Sequence, residues 1–322
     1  TTLHRKTVVC AEIPEIDDFQ KPCFYKGAGR LRGSFVRVGD SDRQMTEYEV
    51  YTFESFKKKI EDELRPVERA DKKELQTDAF KKYTLALQEK KPNVFVLPVQ
   101  RWMTLQGFMS NGHPTIVGLF MFSAYPQGYF PQLGITAVAV PGTKVSGIGE
   151  IGERFLDNKR IEGTIPQMKD DAVAFVIRNM KVRTVIDEKT GERTDKTEYP
   201  VIAIREIILN ALGHRDYSIH TDNCPITIRM FTNRIEVENP GGLYGRNRID
   251  TLGDYGADTR NPYLANALEI IGQAENRYSG IPTIRRAMEE AGLEPPKFES
   301  TRGIFRVTLY NTLKKVSAPL TE

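Results

Sequence analysis

The sequence predicts a multidomain α/β (α+β) protein whose last third is a two-layer α/β sandwich. Three observations predict it. The 322 residues exceed the usual size of one domain. Hydrophobic residues make up 39% and charged residues 28%, the ordinary balance of a chain that buries real cores. Residues 199–310 alternate apolar segments of period two with segments of period 3.6, the pattern of strands flanked by helices.

Residues 1–52 read as β-rich. Thr7 to Ile13 and Ser34 to Val38 are predicted strands, the second with Phe35, Val36 and Val38 as apolar members. Gly27, Gly29, Gly33 and Gly39 mark turns. The opening TTLHRKTVVCAEIPEI lacks the small-residue cleavage site of a signal peptide and reads as a strand, so the domain is expected to begin upstream. Residues 53–91 are charged and helix-prone, with a break at Pro66. Ala79, Tyr83, Ala86 and Leu87 follow helical spacing there, which predicts a helical connector with a solvated lysine face.

Residues 92–198 are a central mixed region. Thr115–Ser123 and Ile135–Val140 read as buried strands. Thr164 is a predicted N-cap with Pro166 in the first turn, followed by Ile165, Met168, Ala172, Val176 and Met180 on one helix side. A hairpin is expected around Lys189-Thr190-Gly191. Residues 199–310 give a helix (201–213), strands (225–231 and 234–238), a glycine turn, helices (262–271 and 281–291) and a strand (303–310); residues 311–322 are a tail.

Several classes are set aside. Apolar runs such as Ile116 to Phe122 fall far short of the roughly 20 residues of a membrane span. Cys10, Cys23 and Cys224 are too few and scattered for a disulfide framework, and a reduced, cytoplasmic setting is expected. A net charge of +3 does not by itself identify a nucleic-acid partner.

Three segments carry candidate chemistry. In VIAIREIILNALGHRDYS, Ile204, Ile207, Ile208 and Ala211 gather on one side, while Glu206 and Asn210, four apart, share another. That carboxylate and amide would hold a hydrated magnesium ion and position a water, though solvent-exposed residues show the same spacing. The strand in RIEVENPGGLYG runs into Asn239-Pro240-Gly241-Gly242, where paired glycines admit a ligand to the backbone or simply turn the chain. Ser279-Gly280 precedes a helix whose first N–H groups attract phosphate, and Ser279 as an N-cap explains the same residues. Arg260, ahead of Asn261-Pro262, would meet a phosphate or stabilise a neighbouring domain. Lys26, Arg30, Arg32, Arg37 and Arg43 stand against only Asp40 and Asp42, with Phe24, Tyr25 and Phe35 among them. Such a ribbon neutralises phosphates without reading sequence; a solvated hairpin carries similar charge.

The order of these segments, a Glu-x-x-x-Asn helix, a strand ending in Gly-Gly and a Gly-led helix, resembles the ATP pocket of the histidine-kinase, gyrase and Hsp90 superfamily. REIILNALGHRDYS, ITIRMFTNRIEVENPGGLYG, ADTRNPYLANALEIIGQAE and YSGIPTIRRAMEEAGLEPPKFE together resemble the RecG-related C-terminal domain of bacterial regulators. In that family it follows a Schlafen-type, AlbA-like DNA-binding domain, and VVCAEIPEIDDFQKPCFYKGAGRLRGSFVRVGDSDRQMTEYEV is similar to the end of such a domain. The resemblance spans most of the chain. It implies Glu206 and Asn210 as the metal-and-water helix, with Glu206 as general base. It implies Asn239, Gly241 and Gly242 as the adenine-side box, and Ser279, Gly280 and Ile281 as the phosphate-side box. ATP or ADP with magnesium is the implied ligand, and DNA or RNA the implied partner.

The chain departs from the pattern twice. The aspartate that reads the adenine amino group is absent, with Glu238 or Asn239 near its place, and the second glycine box is reduced to Ser-Gly. No GxxxxGK[ST] loop occurs, which argues against helicase activity. The expected function is DNA-binding transcriptional regulation with a nucleotide-sensing C-terminal domain. A homo-oligomer is expected because linked weak sites raise affinity. ATP hydrolysis and Schlafen-like nucleic-acid cleavage are the alternatives.

Overall fold

The computed structural model describes residues 2–3, 6–7, 12–149, 151–186, 191, 193–254, 258–273 and 280–313. It divides into two compact units, 1–60 and 61–322.

In the first unit, Thr2–Leu3 pairs with Lys6–Thr7. Residues 8–11 of the expected first strand lie outside the described residues, and 12–13 take no regular form. Helix α1 (Gly29–Gly33) follows a 3-10 turn at Lys26–Ala28, where the glycine pattern predicts turns at Gly27, Gly29 and Gly33. Close backbone packing selects this turn: a Cβ on Gly33 would lie 2.5 Å from the Tyr25 carbonyl oxygen. Strands β1 (Phe35–Val38) and β2 (Ser41–Gln44) form an antiparallel hairpin. Its turn contains Gly39 at φ 59°. Helix α2 (Glu47–Lys58) starts inside the stretch read as β-rich, because Thr46 and Glu49 form a reciprocal capping box.

The second unit opens with helices α3 (Asp78–Lys90), α4 (Val99–Leu105) and α5 (Ile116–Phe122). Tyr83 and Leu87 of the expected helical stripe are fully buried. Trp102 stacks on Phe80 at 5.6 Å, and Phe108 meets Phe122 edge-on at 4.7 Å. The segment Thr115–Ser123 is therefore a helix and not the strand expected. All seven residues of α5 are buried, so its apolar run shows no period that separates helix from strand. The local chemistry decides: Thr115 Oγ1 accepts the Gly118 N–H at 3.1 Å as an N-cap.

A six-stranded mixed sheet dominates the rest. Its strands are β3 (Ile135–Ala139), β4 (Asp157–Ile161), β7 (Ile226–Met230), β8 (Arg234–Pro240), β9 (Lys297–Thr301) and β10 (Ile304–Tyr310). The spatial order is β9-β10-β8-β7-β3-β4, with β7 parallel to β3 and all other pairs antiparallel. The sheet thus draws strands from both 92–198 and 199–310. Between β4 and β7 come helix α6 (Ile165–Asn179), a separate hairpin β5 (Val182–Ile186) and β6 (Arg193–Thr197), and helix α7 (Val201–His214). The turn residues Lys189 and Thr190 of the hairpin lie outside the described residues.

Thr164 caps α6 through a capping box with Gln167, and Ile165, Met168, Ala172, Val176 and Met180 are buried as their spacing predicts. Helices α8 (Pro262–Ile270) and α9 (Gly280–Glu290) complete the fold. Ile226, Ile228, Ile235, Val237, Val307 and Leu309 form one buried sheet face. The opposite face is polar, so the mixed α/β class and its two layers follow from strand alternation.

Candidate functional site

Helix α7 ends at His214, and the next residues are locked in place. Arg215, Asp216, Tyr217 and Ser218 are all buried. Arg215 Nη2 donates to the Thr221 carbonyl at 2.8 Å and also to that of Cys224. Tyr217 Oη donates to the Leu212 carbonyl at 2.9 Å. Asp216 accepts from Arg260 Nη1 at 2.7 Å and from the Ser218 N–H at 2.8 Å. Its own N–H donates to the Pro240 carbonyl at 2.9 Å, tying this turn to the end of β8. Gly241 comes next at φ 107°, and a Cβ there would lie 3.0 Å from the Asp216 Cβ. Backbone angle and close approach both require glycine at that position.

The start of α8 joins the same network. Asn261 Nδ2 donates to the carbonyls of Gly213 and Arg215 at 2.9 and 2.7 Å, capping the end of α7. Its side chain is thus turned away from α8. Glu63 supplies the missing cap, accepting the N–H groups of Tyr263 and Leu264 at 2.8 Å each. Glu63 is fully buried, and that burial pushes its carboxyl up to about 8 against the two N–H donors.

This latch forms one wall of a 330 Å³ cavity between α7, the end of β8, α8 and α9. The volume sits at the small end of the usual range for ligand pockets, about 300–1,000 Å³. Glu206, Asn210, Asn239, Gly241, Gly242, Arg260 and Gly280 all line it. Ser279 lies outside the described residues. Apolar walls come from Ile207, Leu209, Val237, Ile284, Phe305 and Val307.

Glu206 and Asn210 share one face of α7 as their four-residue spacing predicts, and Gly280 faces them both. A Cβ on Gly280 would lie 2.9 Å from Asn210 Nδ2, 3.1 Å from Glu206 Oε2 and 3.2 Å from Asn210 Oδ1. The Glu206 carboxylate and the Asn210 amide thus lie together beside the start of α9, and a carboxylate and an amide oxygen are groups that a hard cation such as magnesium accepts.

Strand alternation settles which residue near the end of β8 faces the cavity. Val237 and Asn239 line it. Glu238 lies on the polar sheet face, 2.8 Å from Arg229 and paired with Arg306. Partial burial works to raise its carboxyl, and the two arginines outweigh that and hold it below the usual carboxylate range.

Among the described residues, four buried polar atoms of the lining lack a hydrogen-bond partner: Asn210 Nδ2, Asn239 Oδ1, Thr259 Oγ1 and Arg260 Nε. Unmade hydrogen bonds of buried groups cost about 1–3 kcal/mol each, so a polar partner at these atoms would be stabilising. Thr259 directly precedes Arg260 in ADTRNPYLANALEIIGQAE, and neither its type nor its spacing marks it there. Arg260 also lines the cavity. Its Nε has no hydrogen-bond partner, but its Nη1 pairs with Asp216, with side-chain exposures of 4% and 0%, and the guanidinium lies 4.8 Å from the centre of the Tyr244 ring. Its first role is the latch.

The basic residues of the first unit are partly neutralised. Arg30 pairs with Glu54, and Arg37 with Asp42 at 3.0 Å. Lys26, Arg32, Arg37 and Arg43 are exposed, beside exposed Tyr25 and Phe35.

Comparison with known proteins finds a similarity in the C-terminal part. The family described as "Putative ATP-dependent DNA helicase recG C-terminal" matches residues 223–309, the stretch that runs from β7 through β10. It marks an ATPase-like domain over roughly a quarter of the chain, beginning after α7 and its Glu206 and Asn210. No curated protein matches. Eleven chains of solved structures do. One is the DIP2311 protein from Corynebacterium diphtheriae, 20% identical, with a TM-score of 0.57. The match covers 88% of this chain and 55% of that one, so this chain spans about half its length. At that identity the likeness shows the fold alone. Among the described residues, no helix is long and apolar enough to cross a membrane.

Proposed function

We propose that this protein is a DNA-binding transcriptional regulator whose C-terminal cavity binds ATP or ADP with magnesium. The observation that supports it most is the gathering of seven candidate residues around one cavity whose lining carries four unsatisfied buried polar atoms. Apolar walls suit a base, and Gly241 and Gly242 bring backbone close to the ligand. Glu206 and Asn210 would hold a magnesium ion, which when bound offsets phosphate charge. The regulatory half of the reading rests on the exposed basic and aromatic residues of the first unit and on its resemblance to an AlbA-like domain.

Thermal melting with and without magnesium and ADP or ATP tests the reading. Nucleotide at 100 times its Kd should stabilise the fold by about 2.7 kcal/mol. An unchanged melting temperature at millimolar nucleotide would count against it. Hydrolysis is the second reading, favoured by the place of Glu206 beside Asn210 on the cavity wall. Magnesium-dependent phosphate release that disappears in Glu206→Gln would support it.

A further inference from the structure

Asn239 sits where β8 leaves the sheet and lines the cavity; it is 4% exposed, and its buried Oδ1 has no hydrogen-bond partner. Around it the walls are apolar, with Val237, Phe305 and Val307 among them. A flat heterocycle in such a slot would meet this amide at its polar edge. An amide carries one acceptor and one donor side by side, and turning it over exchanges them at little cost. The edge of a 6-aminopurine offers N6–H as donor and N1 as acceptor. The edge of a 6-oxopurine offers O6 as acceptor and N1–H as donor. Asn239 can make two hydrogen bonds to either one, whereas a carboxylate at this position would accept only.

Building on the nucleotide reading above, we infer that Asn239 is the base-reading residue of this cavity and that the site accepts 6-amino and 6-oxo purine nucleotides alike. Position 239 then sets specificity, and the tolerance follows from the amide itself. Pyrimidines present a smaller ring and reach the edge less well.

The test is calorimetric titration of ATP, ITP, GTP and CTP, each with magnesium, into the full chain and into Asn239→Asp. ITP carries the 6-oxo edge without the 2-amino group of GTP, so the ITP-to-ATP ratio isolates the edge. The wild type should bind ATP and ITP with Kd values within about tenfold, and CTP more weakly. Asn239→Asp keeps an acceptor and loses the donor, so it should weaken ATP and ITP alike, each by about tenfold, the scale of one lost hydrogen bond. Binding of ITP more than about 100-fold weaker than ATP by the wild type would overturn this inference and leave nucleotide binding standing. CTP equal to ATP would do the same. Absence of binding by every nucleotide would overturn both readings. The wild-type ratios stand even if the variant is unstable, and its melting curve reports that directly.

Discussion

Asp216 and Arg260 form the pair on which the cavity wall depends. Both are buried, so removing one strands the other's charge. Asp216→Ala should cost about 3–5 kcal/mol in urea unfolding, and adding Arg260→Met should recover part of that loss. Glu63 carries a pH dependence of the opposite sense to most carboxylates. Its folded value, about 8, lies above the ordinary 4.5. Its contribution to stability is therefore fully present below the unfolded value and is lost as pH rises toward and through 8. Stability should fall between pH 5 and 8 by up to about 1.4 kcal/mol per unit from this group, and Glu63→Gln should flatten that slope. In the sequence, His214-Arg215-Asp216-Tyr217 stands near the end of REIILNALGHRDYS, and nothing there shows that its work is structural. Glu63 was not legible at all, because its partner helix lies 200 residues away and no local pattern links them.

At the scale of elements, legibility followed period. Strands β7, β8 and β10 alternate strictly, and α6 and α7 keep an apolar stripe, so each was readable within one or two residues. Helix α5 was not, since a run buried on every side has no stripe. Strand β9, Lys297–Thr301, was missed because KFEST holds one apolar residue and lies at the sheet edge. The α6 capping box was legible, and Thr164→Ala should cost about 1 kcal/mol by thermal or urea unfolding. The meeting of α9 with α7 is closer than spacing could reveal. Gly280→Ala places a methyl 2.9 Å from Asn210 Nδ2. It should weaken magnesium–nucleotide binding in calorimetry while leaving the melting temperature nearly unchanged.

For the whole molecule, the chain joins a small unit bearing exposed basic groups to a larger unit bearing the cavity. If the first binds DNA through its backbone, affinity must fall steeply with salt. Arg32→Ala or Arg43→Ala should each make the slope of log K against log salt shallower by about one. The candidate residues scattered from Glu206 to Gly280 could be brought to one place only by the fold, and the sheet, the latch and α9 do so. Their common role as a nucleotide pocket is the central claim. Calorimetric titration of ATP and ADP with magnesium into the wild type and into Asn210→Ala tests it most directly. The account predicts saturable binding by the wild type and a loss of at least about tenfold in a variant that melts like the wild type. No binding by the wild type, or equal binding by both proteins, would contradict it.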